Sequence, residues 1–415
     1  MKILKIIIIG LLIVSCTDKN ETNKIKSAKA GLQVEISKAV TDTISNATGA
    51  YLNLDKENNI FLNWSEEIDT SKIYVLKYKM FDKKSNQFGK TITVNSSEGM
   101  QSHHESMAKI AKTKEGVTYA IFRIITPNSK EIFAGSIFYA ISKDNGKSWS
   151  KKRKLVNVEG SRSQSFYDVT LLPDGELGLC WLDSRKLEKN KDGSTLYFAK
   201  TRGDLGFFDE KSIAGSTCQC CRTDIFVDEN NKINIAYRNI TEGSIRDMYR
   251  VVSADDGITF SDSKRMGIDN WKIDGCPHTG PSFADNSQDL AVAWFTGADS
   301  GIGIFFKKLT SEVSIYNEKT LLTSVGSHPQ MVALSNGNFY IVYEEFYKLK
   351  NKFLSNIVLH VVNSDGTEIK KIISNPNTSN NHAVISKLNS NKLLVAWVNM
   401  NNMKSNIVYT IVDCS

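Results

Sequence analysis

Proline is scarce, with six in 415 residues, and no ten-residue stretch carries apolar residues at helical spacing. The chain also lacks a block of one charge. Its 52 Lys and Arg face 45 Asp and Glu, a net +7 that becomes +5 once Lys2 and Lys5 of the N-terminal segment are set aside. So small an excess, spread along the chain, excludes the basic footprint of a nucleic-acid binder. With 41% hydrophobic and 23% charged residues, the composition excludes a disordered tail and a collagen-like rod. Cysteine is sparse as well. Seven are present, and a chain of this length buries enough apolar surface to fold without cross-links.

The N-terminus reads as a processing signal. Met1–Ser15, MKILKIIIIGLLIVS, has two lysines and then an apolar run too short to span a bilayer comfortably. It ends Ile13-Val14-Ser15-Cys16, which resembles the bacterial lipobox. The resemblance implies that Cys16 is lipidated and begins the mature chain. Thr17 follows it, where Asp would retain a lipoprotein in the inner membrane, so an outer-membrane lipoprotein is expected. Residues 1–15 are then the signal peptide, 16–30 a polar tether and 31–415 a single domain. The expected partners are the membrane, through the lipid, and a glycan or a metal-handling protein.

What the chain does have is a repeat. Alternating strands end in buried-type aromatics at Trp64, Phe122, Trp181, Tyr237, Trp294, Tyr343 and Trp397, 49 to 59 residues apart. Turns such as Pro173-Asp174-Gly175 and Ser335-Asn336-Gly337 precede several of them. Units of this length with four strands each predict an all-β fold, a seven-bladed β-propeller, with a six-bladed ring as the alternative. The last unit, from His382, has room for three strands. The alternating segment Leu32–Val40 supplies a fourth and covers the open edge.

Ser142 to Trp149 (SKDNGKSW) matches the Asp-box S-x-D-x-G-x-x-W at every defined position, and Ser253 to Phe260 (SADDGITF) matches with Phe for Trp. On these motifs the chain resembles the sialidase-like Asp-box (BNR repeat) superfamily. WLDSR at 181–185, the CxCC motif at 218–221 and WKIDGCPHTGP at 271–281 are similar to a branch often labelled exo-α-sialidase. For a sialidase, the resemblance implies an arginine clamp on the sialate carboxylate, a tyrosine nucleophile activated by Glu, and an Asp acid/base. Arg162, Arg222 and Tyr167 are the candidates, with Glu344 or Glu345 as activator. Phe122-Arg123-Ile124 is only superficially like the family's arginine motif, because Ile125 stands where Pro should and Arg123 ends a second strand. For a polysaccharide lyase, His104, Tyr167 and Arg185 could supply base, acid and carboxylate neutraliser.

The soft ligands point elsewhere. His278, His328, His382 and Cys221 each fall nine residues before the first turn of a repeat, which puts all four at one level near the mouth of a central channel. Cys218, Cys220 and Cys221 precede one unit, and Cys276 and His278 precede the next. Zinc and copper ligands must converge to ~2.0–2.3 Å, which neighbouring blades can achieve. These five residues are therefore the expected ligand pool of a copper or zinc site, with His328 and His382 at the same mouth. A disulfide from Cys218 or Cys220 to Cys276, or unrelated buried thiols, would also account for the cysteines.

Overall fold

Period-two alternation of β-branched and aromatic residues, broken by Gly, Asn and Asp turns, gives strands almost everywhere. The computed structural model describes residues 31–415 apart from 128, 130–132, 159–161, 186–191, 243, 310–318 and 402–403. The expected signal peptide, the expected tether and Cys16 lie outside the described residues.

The described residues form seven consecutive antiparallel meanders. Their first strands are Ala47–Leu54, Lys109–Lys112, Gln164–Leu171, Asp224–Val227, Ser282–Asn286, Gly326–Ala333 and Ser379–Lys387. Each first strand packs on the first strand of the next sheet, and that of the seventh packs on that of the first. The third and fourth sheets are also bridged, Thr217 opposite Asn239. The seventh sheet takes its fourth strand from the other end of the chain. Gln33–Val34 pairs with Val412 and Asp413, and Lys38–Ala39 pairs with Val408 and Tyr409, in line with the alternation of residues 32–40.

The core lies between sheets. Trp64, Phe122, Trp181, Tyr237, Trp294, Tyr343 and Trp397, all on second strands, are buried there. All four indoles also find polar partners, Trp64 Nε1 donating to Glu66 Oε2 at 2.7 Å and Trp181 Nε1 to Asp183 Oδ2 at 3.4 Å. Trp294 Nε1 donates to Asp269 Oδ2 at 2.7 Å and Trp397 Nε1 to Asn380 Oδ1 at 2.8 Å. These rings are core anchors and cannot stack on a sugar.

Both Asp-boxes lock hairpins. Asp144 Oδ1 accepts from Ser142 Oγ at 2.8 Å and from the Ser148 amide at 2.9 Å, while Ser142 Oγ accepts the Gly146 amide at 2.8 Å. Asp255, Ser253, Gly257 and Thr259 repeat the pattern. Gly146 is required, because its φ is +86° and a Cβ there would lie 2.1 Å from the Tyr78 hydroxyl. Trp149 and Phe260 then pack edge-on against Tyr78 and Phe198.

Four first strands carry a bulge at one level, where pairing slips and a residue turns left-handed. These residues are Gly49, Phe166, His328 and His382. His278, before its strand, has the same backbone at φ +50°. Bulges re-aim side chains at sheet ends, and here they turn histidines toward the axis.

Candidate functional site

At the level of the bulges, side chains from several sheets meet around Glu105. This residue lies in the segment leading to the second sheet and is almost fully buried. His382 Nδ1 from the seventh sheet lies 3.1 Å from Glu105 Oε1, and His328 Nε2 from the sixth lies 3.9 Å from the same oxygen. Arg222, ahead of the fourth sheet, approaches Oε2 at 3.5 Å. Glu344, on the sixth sheet's second strand, braces both histidines. It pairs with His328 Nδ1 at 2.7 Å and accepts the His382 amide at 2.7 Å. The His104 ring stacks on His382 at 4.6 Å and pairs with Thr48. Burial disfavours the charge of Glu105, but Arg222 and the imidazoles outweigh it and hold its carboxyl well below the usual range. Burial likewise opposes charge on His328, but Glu105 and Glu344 outweigh it and raise its pKa.

Convergence here is not confined to the neighbouring units on which the sequence pattern centres, because Glu105 reaches groups from the fourth, sixth and seventh sheets at once. Glu105 itself was missed. The available signal was an acid directly after His103-His104.

Beside this cluster opens a cleft of about 390 Å³ lined by Arg123, His103, His278, Phe133, Cys220 and Cys276, among others. Arg123 is buried, and among the described residues its guanidinium donates to neutral oxygens only. These are the carbonyls of Gln164 and Phe133, Gln101 Oε1 and, at 3.3 Å, Ser163 Oγ. Among the described residues no carboxylate pairs with it. Gly135 makes room for it, since a Cβ there would fall 2.7 Å from Nη2. The His103 and His278 rings stack at 6.1 Å. His103 Nδ1 accepts the amides of Glu105 and Ser106, both at 3.0 Å, so its neutral tautomer carries the proton on Nε2. Burial lowers the His103 pKa and keeps that ring neutral. His278 is exposed and, among the described residues, its ring makes no hydrogen bond.

Of the expected metal pool, three members come together. Cys218 Sγ lies 3.1 Å from Cys221 Sγ and 3.6 Å from Cys220 Sγ, and Arg246 donates to it at 3.2 Å. Hydrogen bonds from the two neighbouring thiols favour the Cys218 thiolate and lower its pKa. Cys276 and His278 stay outside this group and line the cleft together with Cys220. The six described cysteines are unbridged.

The catalytic candidates fare differently. Tyr167 is buried in the cluster with Tyr119 and Trp181, its hydroxyl has no hydrogen-bond partner among the described residues, and burial raises its pKa against the opposing charge of Arg123. Arg222 is committed to Glu105 and the Pro329 carbonyl. Arg185 is held by Asp183 and Glu210 and lies over the Tyr197 ring. Arg162 is exposed, its amide on Ser184 Oγ. Glu345 pairs with Lys370. Neither the sialidase set nor the lyase set expected from sequence assembles.

The BNR repeat-like domain profile matches residues 69–345. The chain belongs to the BNR repeat-like family. Among solved structures it resembles a protein of unknown function from Dyadobacter fermentans, with TM-score 0.54, 11% identity, and 93% of this chain and 100% of that one covered. An ulvan lyase bound to -[GlcA(1-4)Rha3S]- gives TM-score 0.55 and 12% identity over 90% and 95% of the two chains. The polysaccharide lyase Uly1 gives 0.51 and 12% over 88% and 90%. At such identities the likeness shows the fold alone. No curated protein matches.

Beneath the mouth this BNR repeat-like chain buries a second polar layer. Lys109 Nζ sits 3.5 Å from Asp168 and 3.5 Å above the Tyr51 ring, and Tyr51 Oη donates to Asp168 at 3.0 Å. Asp224, nearby, is pushed well above the carboxylate range by burial and by the Asp168 charge. A carboxyl raised in the folded state stabilises the fold while protonated. That contribution is fully present below its unfolded pKa of about 4 and is lost as pH rises through the folded value. Asp224→Asn keeps an oxygen for the Phe283 amide and removes this loss. Its thermal midpoint should exceed that of the parent by more at pH 8 than at pH 5, by about 1–2 kcal/mol or a few degrees. Parallel melting curves at both pH values would contradict the assignment.

Proposed function

We propose that the chain is a lipid-anchored, seven-bladed β-propeller that binds an acidic glycan in the Arg123 cleft and cleaves it by β-elimination. The observation that carries the reading is Arg123, a buried guanidinium at a cleft wall with no carboxylate partner among the described residues. A buried guanidinium with no carboxylate partner among the described residues attracts the carboxylate of a uronate. Neutralising that carboxylate acidifies the adjacent C5 proton. His278 takes the proton, the electron pair forms the C4–C5 double bond, and the C4–O bond breaks. His278, now an imidazolium, passes that proton on to the leaving oxygen, to which the neutral His103 offers its Nε2–H as a hydrogen-bond donor. The fold shared with two polysaccharide lyases, one of them bound to a glucuronate-containing glycan, agrees with this chemistry. The cyclic packing of seven first strands supports the propeller, and the lipobox-like Cys16 supports an anchor at the outer membrane.

The test is incubation of the full chain with uronate-containing polysaccharides. The expected result is ultraviolet absorbance from an unsaturated uronyl end. New reducing ends without that absorbance would indicate hydrolysis and replace the elimination mechanism.

A second reading rests on the converging thiols. Cys218, Cys220 and Cys221 bind zinc or Cu(I), with Cys276 or His278 completing the shell from across the cleft.

A further inference from the structure

We propose that Glu105, His328 and His382 form a second, thiol-free binding site for a divalent first-row transition metal on the channel axis. It is independent of the glycan reading and of the cysteine centre. Each of the three residues offers a donor atom, and the three atoms lie within 4.8 Å of one another. The separations from Glu105 Oε1, 3.1 Å to His382 Nδ1 and 3.9 Å to His328 Nε2, suit adjacent ligands at metal bonds of about 2.0–2.2 Å. Two imidazoles and one carboxylate are a known donor set for such ions, and they leave coordination positions open.

Two features separate this cluster from a chance gathering of polar groups. The first is the outer shell. Glu344 holds His328 Nδ1 at 2.7 Å, which leaves Nε2 as the nitrogen that faces Glu105. The same carboxylate fixes the His382 backbone through its other oxygen. Carboxylates bonded to the far nitrogen of a ligand histidine orient the ring and raise its basicity. The second is access. The Glu105 side chain is 3% exposed, whereas those of His328 and His382 are 16% and 18% exposed. The donors therefore sit at a boundary where an ion enters from the mouth and keeps exchangeable positions on that side. Arg222 lies on the opposite carboxylate oxygen, at 3.5 Å. With it, the two glutamates carry one net negative charge toward the ion, enough to favour a dication without trapping it.

The probe is Co²⁺ added to the chelator-treated full chain, followed by visible absorption, with Zn²⁺ competition by calorimetry. The parent should show nitrogen/oxygen-ligated cobalt bands that survive a combined Cys218→Ser and Cys220→Ser change. His328→Ala and His382→Ala should each weaken binding by about 100-fold or more, and Glu344→Gln by about 10- to 100-fold. Circular dichroism establishes that each variant is folded. Should Glu105→Gln fail to fold, the two partly exposed histidines decide the matter. The proposal is overturned if cobalt absorbs only through sulfur charge-transfer bands that vanish with the serine changes. It is equally overturned if folded His328→Ala and His382→Ala bind as the parent does, or if the folded parent takes up no metal. Loss of glycan cleavage alone bears on the Arg123 cleft and leaves these outcomes unchanged.

Discussion

Replacing Arg123 with Met is expected to lower kcat/KM on a uronate polysaccharide by about 100- to 1,000-fold, the usual cost of removing a charge aimed at developing negative charge. The guanidinium is the described group on that cleft wall able to neutralise the carboxylate. Arg123→Lys should retain part of the activity, because the charge survives and the planar fork does not. Met removes the donor to the Phe133 carbonyl and Gln101 Oε1, and Lys replaces it only in part, so folding must be verified by thermal melting. A chemical control separates the structural effect from the catalytic one. On a methyl-esterified substrate the carboxylate is already neutral, and parent and variants should converge. If Arg123→Met cleaved the free acid as well as the parent does, Arg123 would have no part in recognition.

The second large effect concerns the seventh sheet. A chain lacking residues 31–41 should lose about 3 kcal/mol or more and associate with itself. Several contacts disappear together. Val40, buried in the cluster with Trp64 and Tyr409, donates its amide to Ile407, and Glu35 donates its own to Ile411. Thr41 Oγ1 accepts the Ile407 amide at 3.0 Å. Without them Lys404–Asp413 presents a bare edge, which is a template for pairing with another molecule. Thermal unfolding and light scattering are the measurements. A truncated chain that melts at the parental temperature and stays monomeric would show the segment to be dispensable.

Strands and turns were legible because they depend on local pattern. The seven aromatic landmarks, the two Asp-boxes and the terminal strand at 32–40 each announce themselves within ten residues. The histidine register was legible for the same reason, since His328 and His382 do meet at one level. What escaped were contacts that close across the molecule. Glu105 sits in an irregular segment with no period to mark it. Arg123 lies near the end of a second strand, and local pattern places it away from any site, yet the second sheet's hairpin of Thr118–Ile125 with Gly135–Ser142, and Gly135 itself, bring its head to the cleft. Tyr167 and Arg185 show the converse. Their residue types suit catalysis, and sequence carries no mark of the burial of the one or of the two acids that hold the other.

The pairing of Gln33 with Asp413 has a kinetic consequence. The first described strand can be placed only after Lys404–Asp413, its partner, has been made. Joining the ends of so long a segment costs about 5 kcal/mol of loop entropy, and it comes after every local hairpin has had time to form. Refolding should therefore show a late phase in which the hairpins are protected from hydrogen exchange while the Ile407 amide, which donates to Thr41 Oγ1, is not. During that interval the outer edge of the seventh sheet is unguarded, so the yield of native protein is set by how fast the two ends meet relative to how often two chains do.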